Sequence, residues 1–209
     1  MKKTYLFYCL IFTIITTSCS QYKYYFGMGY KATLDNRKDW AITYYTKSLQ
    51  YNSKYPKTYF NRGCVYTDLK EYDKALADFR KAEELKLADP ELFNYKGFVL
   101  MQTEKFNDAI ECFKKSINLN PRNSSSYFNL ANAYSETKNY NAALDNFTKA
   151  LNIFPKFTDA YINRAFVYSE LKKYNEAISD YYKAIDINPD LKAEILPLID
   201  NLNKEMQNK

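Results

Sequence analysis

The sequence has no histidine and only four glycines among its 209 residues. The first absence removes imidazole, the side chain most often used for proton transfer near neutral pH. The second leaves little material for glycine-rich loops that cradle phosphates. Cysteine is scarce too: outside the first 20 residues there are only Cys64 and Cys112, and their spacing fits no zinc or redox motif. Both fall in predicted helices and read as buried or half-buried free thiols, with a disulfide as the alternative in an oxidising compartment. Lys and Arg exceed Asp and Glu by 30 to 24, but the signs alternate and form no basic block. Nucleic-acid binding calls for a positive stripe or a known module, and the pattern offers neither. With no nucleophile elbow, metal signature or phosphate loop, no catalysis, cofactor or metal is expected. Acids such as Asp78, Asp145 and Asp180 read as solvated charge on polar helix faces. What the chain does have is 22 tyrosines and 14 phenylalanines, and their placement is periodic.

Shifting the sequence by 34 residues aligns it with itself, without a gap, from residue 22 onward, in blocks that start at Tyr22, Pro56, Pro90, Ser124 and Thr158. The fourth place of each block holds Tyr25, Tyr59, Phe93, Tyr127 and Tyr161, and the eighth Gly29, Gly63, Gly97, Ala131 and Ala165. The twentieth is always alanine, from Ala41 to Ala177, and the twenty-fourth is Tyr45, Phe79, Phe113, Phe147 or Tyr181. Small residues let two helix backbones approach while the rings fill the space around them. Polar breaks such as Leu69-Lys70-Glu71 divide each block into two helices, and Pro121, Pro155 and Pro189 stop the second helix in three blocks.

These places, with the eleventh (Ala32, Tyr66, Leu100, Tyr134, Tyr168) and the twenty-seventh (Ser48, Ala82, Ser116, Ala150, Ala184), resemble the tetratricopeptide repeat family. The fourth place departs mildly, with Tyr or Phe for the usual Trp, and the seventh holds Arg62, Lys96 or Arg164, whose long stems can lie along apolar surface. The expected fold is all-α: a right-handed α-solenoid of five helix-turn-helix repeats, 22–55, 56–89, 90–123, 124–157 and 158–191. Residues 192–209 are read as a capping helix and tail, because Ile195, Leu198, Ile199 and Leu202 recur at helical spacing.

At about 100 degrees per residue, the fifth, sixth and ninth places of each first helix lie opposite the packing side. The resemblance implies that this free face lines a concave groove holding an extended or helical peptide of a partner protein. The groove residues would be Phe26, Tyr30, Phe60, Asn61, Tyr95, Phe98, Phe128, Asn129, Asn132, Asn163 and Phe166. Asparagine amides suit a peptide backbone, and aromatic rings give contact area at low entropic cost; alternatively the rings pack against neighbouring repeats. A carboxylate clamp of the kind that holds chaperone C-termini is excluded, since the fifth places are Phe26, Phe60, Asn94, Phe128 and Ile162 and not lysine.

Ahead of the repeats, Lys2 and Lys3 precede an apolar stretch from Tyr5 to Ile15, followed by Thr16, Thr17 and Ser18. This is the layout of a secretory signal, and the stretch falls short of the roughly 18–20 residues that span a bilayer. The run Thr16-Thr17-Ser18-Cys19 resembles a bacterial lipoprotein lipobox, departing from it at Thr16, where leucine is usual. The resemblance implies removal of residues 1–18, acylation of Cys19 as by palmitate, and a membrane anchor followed by a short tether, 19–21. The expected product is an exported adaptor at the periplasmic or outer-membrane face of the cell envelope, binding one or more proteins and no nucleic acid. Alternatives are a soluble periplasmic or secreted product, an RNA-binding helical repeat, or a non-catalytic subunit of an envelope enzyme complex.

Overall fold

A computed structural model of the chain describes residues 20–207. The leader, Cys19, Asn208 and Lys209 lie outside the described residues. Within them every regular element is helical, and no helix is long and apolar enough to cross a membrane.

Two compact units divide between Val99 and Leu100. The first contains α1 (20–34), α2 (Lys38–Tyr51), α3 (Pro56–Asp68), α4 (Tyr72–Glu84) and most of α5 (Pro90–Gln102). Ser20 and Gln21, expected in a tether, are already part of α1, since no helix breaker separates them from Tyr22. The second unit contains α6 (Phe106–Leu119), α7 (Ser124–Glu136), α8 (Tyr140–Ile153), α9 (Thr158–Glu170), α10 (Tyr174–Ile187), a 3-10 turn at Pro189–Leu191, and α11 (Lys192–Gln207).

One turn recurs at the fifteenth place of all five repeats. Asn36, Lys70, Glu104, Lys138 and Lys172 have φ between 55° and 60°, a left-handed conformation usually given to glycine. It closes the first helix in the same way each time. In the second repeat the Lys70 N–H donates to the Thr67 carbonyl and the Glu71 N–H to the Tyr66 carbonyl, both at 2.9 Å, and the other four turns repeat the pair. The two bonds satisfy carbonyls that the helix end would orphan, and they reverse the chain so that the second helix packs back on the first.

The core alternates rings with small residues. Tyr45, Phe79, Phe113 and Phe147 are fully buried, as are Ala41, Ala75, Ala109 and Ala143. Gly63 lies directly beneath Phe79: a Cβ there would sit 2.6 Å from Phe79 Cε1. Gly63→Ala is therefore expected to lose a net of roughly 1 kcal/mol, overpacking exceeding the gain in helix propensity. A urea midpoint that rises instead would show that the ring can yield, as Phe147 does opposite Ala131.

Successive repeats meet through two kinds of buried contact. The Ser48 hydroxyl, at the twenty-seventh place of the first repeat, lies 3.4 Å from the Thr58 hydroxyl, at the third place of the second. Ser116 and Ser126 repeat this at 2.9 Å between the third and fourth repeats. At the other two junctions the same places hold Ala82 and Leu92, and Ala150 and Ala160, all fully buried and apolar. Ser48 Oγ also donates to the Tyr22 carbonyl at 2.8 Å, so these hydroxyls have partners and burying them costs little. The odd-numbered repeats also end alike, with Asn52, Asn120 and Asn188 accepting a backbone N–H two residues on, from Lys54, Arg122 and Asp190.

At the C-terminus Ile195, Ile199 and Leu202 of α11 join the cluster of Ala165, Tyr174, Ala177, Tyr181 and Ala184. Leu198, expected in the same stripe, is exposed. Pro197 lies inside this helix.

Candidate functional site

The first helix of each repeat has one side pressed on its own second helix through the fourth and eighth places. The fifth and sixth places lie at the margin of that contact, and the ninth turns furthest from it. In the first unit Tyr30 and Phe98, both at ninth places, are 52% and 41% exposed. Phe26, Phe60 and Tyr95 are half-buried. Phe26 packs against Tyr45 and edge-on against Tyr55, and Phe60 meets Tyr95 edge-on with centroids 6.0 Å apart. Asn61 and Thr33 hydrogen-bond the Tyr45 hydroxyl. Burial raises the pKa of that phenol, and these two bonds only partly oppose it. The fifth-place rings therefore join core to face, while the ninth-place rings stand free of it.

In the second unit Phe166, again at a ninth place, is 51% exposed. Phe128 is half-buried, its ring tilted against Phe157 at 4.7 Å and Phe147 at 5.9 Å. Asn163 Nδ2 donates to Asn132 Oδ1 at 2.8 Å, joining two repeats on the same face, and Asn129 lies half-buried beside them. Asparagine-to-alanine changes at 132 and 163 would thus remove a contact of about 1 kcal/mol as well as any peptide contact. The exposed rings are the cleaner probes of the face.

Cys64 and Cys112 are free, half-buried and buried respectively. Burial pushes the Cys64 thiol far above its ordinary value, with Asp68, Glu91 and Asp89 adding to the effect, so it does not act as a thiolate near neutral pH. Among the described residues no group of Cys, Asp and Glu is placed to hold a metal ion.

Two of the acids read as solvated are not. Asp78 and Asp180 are 6% and 5% exposed, whereas Asp145 is exposed. Asp78 accepts a two-pronged pair from Arg62 Nε and Nη2, both at 2.8 Å, and Arg62 Nη1 donates to Thr46 of the preceding repeat at 2.9 Å. Arg164 holds Asp180 at 2.7 and 2.8 Å and Thr148 at 3.0 Å. Each guanidinium also lies over two rings, Tyr59 and Tyr66 for Arg62, Tyr161 and Tyr168 for Arg164, at 5.6–5.9 Å. The arginine stems do lie among rings, but their heads carry the interaction. Burial alone would lower the pKa of Arg62; the bonds and charge of Asp78 outweigh it and leave the group more firmly protonated. The reason for the burial is register: the seventh place faces the twenty-third of its own repeat and the twenty-fifth of the one before.

The 34-residue register, the left-handed turn at the fifteenth place and the ring-on-alanine core agree with comparison by sequence. Models described as tetratricopeptide repeat match residues 56–86, 90–156 and 158–191, well over half of the chain. The chain belongs to the tetratricopeptide repeat family. Solved structures of tetratricopeptide repeat type share its all-α solenoid fold class. One is YrrB, described as a TPR protein with an unusual peptide-binding site: 25% identical, covering 79% of this chain and 86% of its own, with a TM-score of 0.71. A MamA protein is 23% identical over 83% of this chain and 94% of its own, TM-score 0.74. MamA from Desulfovibrio magneticus RS-1 is 16% identical over 81% and 96%, TM-score 0.77. At such identities the MamA likeness is one of fold alone. No curated protein matches the chain.

Proposed function

We propose that this tetratricopeptide repeat protein is a non-catalytic scaffold of the bacterial cell envelope. It captures an extended or helical segment of a partner protein on the first-helix faces of its units and is held at the membrane by acyl chains on Cys19. The observation that carries the reading is the recurrence of an exposed ring at one register, Tyr30, Phe98 and Phe166, in three repeats. Large exposed rings on a soluble surface mark contact sites, and rings supply contact area at little entropic cost. Asn132 and Asn163 add amide groups that can pair with a peptide backbone. The peptide-binding site ascribed to YrrB supports the same use of the fold.

Against catalysis, the buried carboxylates of Asp78 and Asp180 are engaged by arginine, and the Cys64 thiol is held protonated. The envelope assignment rests on the sequence from Lys2 to Cys19, and two or three acyl chains would anchor the chain firmly.

The test is crosslinking of the full chain in its native envelope, followed by mass spectrometry. The triple change Tyr30→Ala, Phe98→Ala, Phe166→Ala is expected to cut recovery of the crosslinked partner at least about tenfold, while stability moves by no more than about 0.5 kcal/mol per site. Full recovery of the partner by the triple variant would remove the face from the account. The intact mass of the same material must show acyl chains on Cys19; an unmodified N-terminus would remove the anchor.

A further inference from the structure

The eleventh place is filled by Tyr66, Leu100, Tyr134 and Tyr168 in four repeats, but by Ala32 in the first. Where tyrosine is present its ring is half-buried, and those of Tyr66 and Tyr168 lie beneath cations. Arg62 and Lys74 stand 5.8 and 5.4 Å from the Tyr66 centroid, and Arg164 stands 5.9 Å from that of Tyr168. In the first repeat only a methyl group projects into that place. Between α1 and α2 there is a cavity of about 430 Å³, with Ala32, Met28, Trp40 and Tyr44 among its walls.

The residues around this vacancy also differ from those of the other repeats. The nineteenth place, polar or small as Lys74, Asp108, Ala142 or Glu176 elsewhere, holds Trp40, the only tryptophan of the chain. Its indole is 56% exposed. It stacks on Tyr44 with centroids 5.8 Å apart, and Tyr44 stacks on Tyr25 at 6.5 Å. Met28 and Tyr44 take the places that hold the arginine and aspartate in the second and fifth repeats, so Met28 and Tyr44 with Ala32 and Trp40 form the apolar part of the wall. The rim carries Lys31 and Arg37 against Asp35.

We infer that this cavity is a socket for a tyrosine or phenylalanine ring of an acidic segment of a partner protein, which enters the place that Tyr66, Tyr134 and Tyr168 fill from within the chain. The second and fifth repeats show what fits there: a tyrosine ring with cations at its face. An aromatic ring gains both from burial and from a cation over its face. The rim's excess positive charge favours acidic neighbours on the incoming segment. The socket uses none of the ninth-place rings, so it stands or falls separately from the first-helix faces.

Because Trp40 is the sole indole, its fluorescence reports on the socket alone. The full chain is titrated with the blocked tripeptides acetyl-Glu-Tyr-Glu-amide and acetyl-Glu-Leu-Glu-amide. The tyrosine peptide is expected to give a saturable change, with the leucine peptide at least about tenfold weaker. Ala32→Tyr, which supplies the missing ring internally, is expected to abolish the response and to raise the thermal midpoint. Ala32→Leu, the third repeat's solution, is a second blocking variant should the larger ring distort the helix pair. Equal binding of the two peptides, no saturable response in the unaltered chain, or a response retained in both variants would each overturn the proposal.

Discussion

Changing Asp78 to asparagine alone is expected to cost about 3–5 kcal/mol, and adding Arg62→Leu is expected to restore most of it. The first change keeps the shape of the side chain but leaves a buried guanidinium, whose side chain is 16% exposed, without its counter-charge. The penalty is the desolvation of an unpaired ion, which two neutral hydrogen bonds do not replace. The double variant copies the fourth repeat. There Leu130 and Asn146 occupy the two places beneath Tyr127 and Tyr134, the counterparts of Tyr59 and Tyr66, and Asn146 Nδ2 bonds the Ala142 carbonyl at 2.8 Å. Buried ion pairs contribute little net stability compared with a packed neutral replacement, so the double variant should lie within about 1.5 kcal/mol of the parent. Urea unfolding followed by circular dichroism checks both. A single change costing under about 1 kcal/mol, or a double change as harmful as the single, would mean that the pair is hydrated in solution.

Phe147→Ala is expected to cost about 3–5 kcal/mol, the ordinary range for deleting a fully buried phenylalanine. The ring is the centre of a cluster of Ala131, Ala143, Leu144, Leu151, Ala160 and Val167. Half of the named partners are alanines, and these cannot reach across the vacated space to close it. Phe128→Ala, at the half-buried ring 5.9 Å away, should cost clearly less, because water can enter the space it leaves. Thermal unfolding of the two variants separates the ring that builds the repeat from the one that lines its face. Equal losses would place Phe128 in the core and shrink the face to its ninth-place residue.

Much of the helical framework was legible because each repeat states the same pattern again. One ring opposite one alanine is ambiguous; five in register are not. The same repetition could have exposed the buried ion pairs. Arginine at the seventh place occurs only with aspartate at the twenty-third and threonine at the preceding twenty-fifth, as Thr46, Arg62 and Asp78 and again as Thr148, Arg164 and Asp180. Reading each helix alone hides this, since the partners are 16 residues apart on different helices and a carboxylate looks the same in sequence whether solvated or buried. For Phe60 and Tyr95, both half-buried, the helical wheel shows only part of the surroundings. It finds the side facing the partner helix of the same repeat, but a helix with several neighbours has further sides that are also covered. Leu198 is the reverse case, apolar at the right spacing yet exposed. The socket at Ala32 was hidden because alanine at a variable place reads as conservative until the space it leaves is seen.

The alternating hydroxyl and apolar junctions set a rule for how the array can change length. Cutting out the second repeat alone would set Ser48 against Leu92 and leave its hydroxyl only the bond to the Tyr22 carbonyl. Cutting out the second and third together would bring it against Ser126, where a hydroxyl waits. Growth or loss of this chain by twos therefore keeps like junction facing like, and a scheme for splicing its modules gains by preserving odd and even parity as well as the spacing of the repeat.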